Sequence, residues 1–105
     1  MQRYLYAGLA LAGFFAFSAV QAQDAFDPAL VKKGAAIYDQ NCSACHGARM
    51  LDPQGAFDLR TFPRDDKNRF VTSVTKGKNQ MPPWGDLLKR DEIEALWAYV
   101  VAGEK

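Results

Sequence analysis

The chain has two cysteines and one histidine, and all three fall in the pentapeptide Cys42-Ser43-Ala44-Cys45-His46. The pattern C-x-x-C-H reads as the attachment site of a c-type haem. Two thiols one helical turn apart can each add to a vinyl group of the porphyrin, and the adjacent imidazole then lies beneath the iron. Three other chemistries compete for these residues. A structural zinc site takes four Cys or His ligands, more than the chain holds. A thioredoxin-like pair sits at the end of a strand in a βαβ unit, and no such unit is legible. A disulfide here would close a loop too short to stabilise much. The pentapeptide therefore predicts one covalent haem c, with Cys42 and Cys45 as thioether positions and His46 as the proximal iron ligand.

A cofactor is also what a chain of this size needs. With 105 residues there is room for one domain, whose core is marginal without a disulfide, metal or cofactor. Hydrophobic residues at 49% and charged residues at 24% exclude a disordered chain. A formal net charge of +1 gives no sign of nucleic acid binding, which calls for a basic face. Residues 1–22 have the pattern of a cleaved signal peptide. Arg3 is followed by the uncharged stretch Leu5 to Val20 and then by the small-residue site Val20-Gln21-Ala22. That stretch is short for a membrane span of about 20 residues. The expected domain is thus 23–105, exported to the periplasm with no stable membrane insertion, and near neutral once Arg3 is removed.

Periodicity predicts an all-α domain of three to four helices with long loops. Asp27 and Pro28 are an N-cap and first-turn pair, opening a helix to about Gln40 or Asn41 with Leu30, Gly34, Ile37 and Tyr38 on its buried stripe. Gly34 is a poor helix former, so its place at mid-helix predicts close approach of a second helix. Residues 47–61 carry no period. Asp52-Pro53-Gln54-Gly55 reads as a turn, and Phe57, Leu59 and Phe62 as a loop wrapped over something hydrophobic. A second helix fits Pro63 or Asp65 through Lys76, with Phe70, Val71 and Val74 inward and Gly77 as the stop. The last helix has Asp91 and Glu92 in its first turn, where they favour the dipole. Ile93, Leu96, Trp97 and Val100 follow at i, i+3, i+4 and i+7, and Gly103 ends it.

The sixth iron ligand separates electron transfer from gas or peroxide chemistry. Met50 lies too near His46 to reach the opposite face and reads as core filler. Met81 stands in a loop stiffened by Pro82 and Pro83, and is expected to be the axial thioether. A closed ligand set implies a one-electron carrier and not an enzyme. The rival is an open-coordination haem protein, a ligand sensor or weak peroxidase, in which Met81 is core. His46 should donate its second ring N–H to a backbone carbonyl, with the Pro53 turn as the source. Leu59, Arg60 and Trp84 are candidate haem contacts, Arg60 and Trp84 through the propionates, with Phe57, Phe70 and Val74 as further packing. Tyr38 and Trp97 read as ordinary core aromatics.

Together these residues resemble the bacterial class I c-type cytochromes. The resemblance rests on Gly34 and Tyr38 in the first helix, Cys42 to Gly47, Gly77 followed by Met81-Pro82-Pro83, and Leu96, Trp97 and Tyr99 in the last. It implies the class I cytochrome c fold round one haem, a monomer, and first and last helices that cross at the glycine. The family's carbonyl-donating proline usually lies slightly further on than Pro53. Met81 to Asp86 with Glu92 to Val100 is similar to small cytochromes serving periplasmic quinoprotein alcohol dehydrogenases. That implies redox protein partners, a dehydrogenase as donor and an oxidase or other cytochrome as acceptor.

Overall fold

Helix α1 (Pro28–Asn41) begins where its chemistry dictates. The Asp27 carboxylate accepts from Ala29 N at 2.9 Å and Pro28 takes the first turn. The computed structural model describes residues 26–104; the expected leader, 1–22, lies outside them. Three further helices follow: α2 (Ser43–His46), α3 (Lys67–Lys76) and α4 (Arg90–Ala102). Short 3-10 turns occupy Ala48–Met50 and Leu59–Thr61. There is no strand among the described residues, only one isolated bridge between Lys78 and Met81. The architecture is all-α with long ordered loops, as the periodicity implied.

The centre of the molecule is the crossing of α1 on α4. A Cβ built on Gly34 would overlap the carbonyl of Ala95 and come within 2.9 Å of Tyr99 Cβ. The two backbones therefore touch at a point that no other residue permits. Gly34→Ala sets two effects against each other. Helix propensity favours alanine by about 1 kcal/mol, while overpacking against a backbone costs about 1–3 kcal/mol. The blocking atom is a main-chain carbonyl with no rotamer to escape to, so the second effect wins. A lower denaturant midpoint is expected, and a raised one would mean that the helices do not meet at Gly34.

Helix α4 departs from the narrow stripe expected of it. Ala95, Ala98, Tyr99 and Val101 are buried as completely as Ile93, Leu96, Trp97 and Val100. The reason is that α4 packs on two sides, with α1 across one and α3 and the 59–61 turn across the other. On the second side Phe62, Phe70 and Trp97 form an aromatic cluster, with ring centroids 5.2 to 6.0 Å apart. At its start, Glu92 reaches back to accept from Lys89 N at 2.8 Å.

Helix α3 starts at Lys67, later than the expected Pro63 or Asp65. Asp66 is its cap, accepting from Arg69 N. Residues 63–66 form a separate turn, from which the Arg64 guanidinium donates to the Val101 carbonyl near the end of α4. An orphan carbonyl of one helix end is thus satisfied from the approach to another. Phe70 and Val74 face inward as expected, whereas Val71 is half-buried.

Gly77 (φ +81°) ends α3, and the following loop folds back on it. Lys78 and Met81 exchange two backbone hydrogen bonds, at 3.0 and 2.9 Å. Trp84 N then donates to Val74 O at 2.8 Å and Gly85 N to Thr75 O at 3.1 Å. The loop that carries Met81 is therefore sewn to the last turn of α3, and rigid backbone presents the thioether.

Candidate haem-binding site

The motif is held at a junction between helices. Cys42 closes α1 with its N–H on Tyr38 O at 2.8 Å, and its own carbonyl opens α2 by accepting from His46 N at 2.9 Å. The helical turn thus formed spaces Cys42 and Cys45 as thioether chemistry requires. Both are free thiols, Cys42 half-buried and Cys45 exposed. Burial, with Cys45 nearby, pushes the Cys42 thiol up to about 11. Among the described residues no three His, Cys, Asp or Glu side chains converge as a metal cage.

His46 Nδ1 lies 2.9 Å from the carbonyl oxygen of Phe57. With Nδ1–H donating there, the ring is oriented and Nε2 keeps the lone pair that it would offer to a haem iron. The expected acceptor at Pro53 is corrected by this contact. The Pro53 carbonyl instead accepts from Ala56 N at 2.7 Å, closing its own turn. That turn runs through positive φ at Asp52, Gln54 and Gly55 and brings Phe57 back towards the motif.

Beyond His46, Gly47 is buried at φ +90° and its carbonyl accepts from Tyr38 Oη at 2.6 Å. Burial, with Cys42 adding to it, pushes the Tyr38 hydroxyl up to about 12, so it stays a donor. Tyr38 is therefore more than a core aromatic: it ties the end of the motif to α1. The pairing of a tyrosine with a carbonyl nine residues on has no sequence signature, nor has the Phe57 carbonyl.

Met50 is fully buried in the core cluster, as expected of a filler. Met81 is half-buried on its pinned loop. Trp84 and Leu59 are half-buried and pack at the edge of the core, while Phe57 is 48% and Leu87 72% exposed. Arg60 is exposed and engaged by Asp58 through two contacts of 3.0 and 3.1 Å. This hydrogen-bonded pairing holds the Asp58 carboxyl below its usual range. Phe70 and Val74 lie in the protein core instead of lining a separate surface.

These residues fit a covalent haem. Two free thiols, an imidazole with one nitrogen committed to a carbonyl, and a thioether on rigid backbone would make up its donor set. Between Leu51 and Arg69, and again between Thr75 and Glu92, no hydrophobic side chain is buried by the chain itself. The apolar side chains of these loops would be covered by a flat apolar group lying beneath them.

Residues 29–100 match the family described as cytochrome c oxidase, cbb3-type, subunit III. The chain is 36% identical over 74 residues to a cytochrome c6 of Microcystis aeruginosa, covering 66% of this chain and 91% of that protein. It is 34% identical over 73 residues to a cytochrome c6 of Nostoc sp., covering 65% and 66% respectively. It is 37% identical over 87 residues to the cbb3-type cytochrome c oxidase subunit CcoP of Azospirillum sp. (strain B510), covering 72% of this chain but 29% of that subunit. No solved structure matches. With residues 29–100 inside the family and cytochromes c6 among its relatives, the chain belongs to the small class I c-type cytochromes, electron carriers with covalent haem c and not enzymes.

Proposed function

We propose that the protein is a periplasmic carrier in which Cys42 and Cys45 anchor the haem, and His46 and Met81 are its two axial ligands. The observation that carries this reading is the division of labour between the methionines. Met50 is consumed by the core, whereas Met81 is offered on a loop tied down at four backbone hydrogen bonds. When bound, haem c supplies an iron that gains and loses one electron. His46, oriented by the Phe57 carbonyl, and Met81, on stiff backbone, hold their donor atoms still through that change. Leu59 and Trp84 exclude water, and the Arg60 charge stays paired with Asp58.

Electrons come from a dehydrogenase, in line with the resemblance to cytochromes of quinoprotein alcohol dehydrogenases, and pass to an oxidase or another cytochrome. The leader at 1–22 delivers the chain, and the mass of the exported protein should begin at Gln23. The test of the carrier is a visible spectrum of protein matured in a host that attaches c-type haem. Sharp reduced α and β bands with the weak long-wavelength Met–Fe(III) band are expected. A high-spin spectrum without that band would transfer the protein to ligand binding.

The surface around Met81 suits a transient partner. Pro82, Pro83 and Leu87 are exposed, and Lys76, Lys78 and Lys89 flank them with no carboxylate partner among the described residues. Asp86 only partly offsets these three charges. An anionic oxidant such as hexacyanoferrate(III) should therefore react faster at low ionic strength, by steering. Lys78→Glu combined with Lys89→Glu should slow it several-fold, and unchanged rates would place electron exit elsewhere.

A further inference from the structure

Immediately after His46 the backbone does something costly. Gly47 has φ +90°, and Arg49 and Met50, neither of them glycine, have φ of +57° and +63°. Left-handed conformations of this kind persist only where the surroundings over-determine them. Here the surroundings form a closed circuit. The Gly47 carbonyl accepts from Tyr38 Oη at 2.6 Å, and the Tyr38 ring packs on Tyr99 with centroids 5.2 Å apart. Tyr99 Oη donates to Glu104 Oε2 at 3.0 Å, and Glu104 Oε1 accepts from Arg49 Nε at 3.3 Å. Arg49 then returns the path to the strained segment itself.

Gly103 makes this closure possible. A Cβ there would come within 2.6 Å of the Tyr99 ring, so only glycine lets Glu104 fold back onto its hydroxyl. Glu104 is 28% exposed in its side chain. Its two carboxylate oxygens are divided between the last helix and the segment that follows the proximal histidine. A different ion pair joins α1 to α4, Lys33 with Asp91 at 3.0 Å.

We propose that Glu104 is a positioning residue for the haem ligand, acting as a latch that holds the Gly47–Met50 hook, and through it the backbone from which His46 projects. The inference rests on His46 being the proximal ligand. Releasing the latch at either end lets the hook relax and admits water beside the ligand. Water favours the more highly charged ferric state, so the midpoint potential falls. Because the contacts form one circuit, breaking it twice costs little more than breaking it once.

The test uses the haem-loaded protein as Glu104→Ala, Tyr38→Phe and the double variant, with Glu104→Gln as the conservative change and Lys33→Gln as a control. The midpoint potential and amide hydrogen exchange at Met50 and Leu51 are read in each. Exchange should quicken about tenfold in each single variant, with the potential lowered, and the double variant should resemble either single one. Glu104→Gln, which keeps an acceptor oxygen, should recover most of the wild-type behaviour, and Lys33→Gln should change neither quantity. Multiplied effects in the double variant, or no change at Glu104→Ala, would overturn the latch. If Tyr38→Phe fails to fold, Glu104→Ala against Glu104→Gln still decides the matter. The Met–Fe(III) band of the wild-type protein reports separately on the ligand set, so failure of the latch and failure of the carrier reading are distinguishable.

Discussion

Replacing Met81 with alanine is expected to leave the haem attached but to open the iron to outside ligands. Carbon monoxide should bind the reduced protein, and imidazole or cyanide the oxidised one. The midpoint potential should fall by on the order of 0.1 V, a fraction of the ~0.8 V that axial ligands command. The direction follows from the thioether, which raises the potential relative to a nitrogen or water ligand. The structure makes this a clean substitution. Both Lys78–Met81 hydrogen bonds are backbone to backbone, as are those of Trp84 and Gly85 to α3, so alanine keeps the loop in place. Gly77 also keeps its tight approach to the Met81 carbonyl, where a Cβ would lie at 2.8 Å. A change in the spectrum then reports loss of a ligand and not collapse of a loop. A variant with unaltered potential and no affinity for carbon monoxide would remove Met81 from the iron.

The second large effect is expected from Cys42→Ala combined with Cys45→Ala, which should leave a mostly unfolded or degraded chain. The buried hydrophobic side chains belong to α1, α3 and α4, with Met50 added. The loops contribute half-buried Leu59, Phe62 and Trp84 and exposed Phe57 and Leu87. Covering a side chain of this kind is worth about 1.5–3 kcal/mol, and several of them together rival the 5–15 kcal/mol typical of a whole domain. Without covalent anchors that contribution is lost, and both loops pay conformational entropy with no burial in return. Far-ultraviolet circular dichroism with a denaturant titration checks this. A cooperative transition at the wild-type midpoint would show that the α1–α4 crossing suffices alone and that the cofactor is not part of the core.

What could be read from the sequence is what depends on neighbours in the chain. Cys42, Cys45 and His46 point to haem attachment because that chemistry would need them within about one helical turn. Asp27-Pro28 marks the start of α1 because capping is local, and Ile93, Leu96, Trp97 and Val100 mark α4 because burial imposes a 3.6-residue period. Even Gly34 was legible, since a glycine at mid-helix has to be explained by what lies against it. The tertiary structure decided matters in which every residue offers the same group, or in which distant segments compete. Any residue from 52 to 61 has a carbonyl for His46, and only the path of the turn at Pro53 selects Phe57. Helix α3 gave up residues 63–66 because Arg64 is used at the end of α4. Helix α4 is buried on both sides because two elements flank it, which no periodicity within its own residues could announce. Tyr38, Tyr99, Arg49 and Glu104 are unremarkable in sequence and become one circuit only when α1, α4 and the segment after His46 meet.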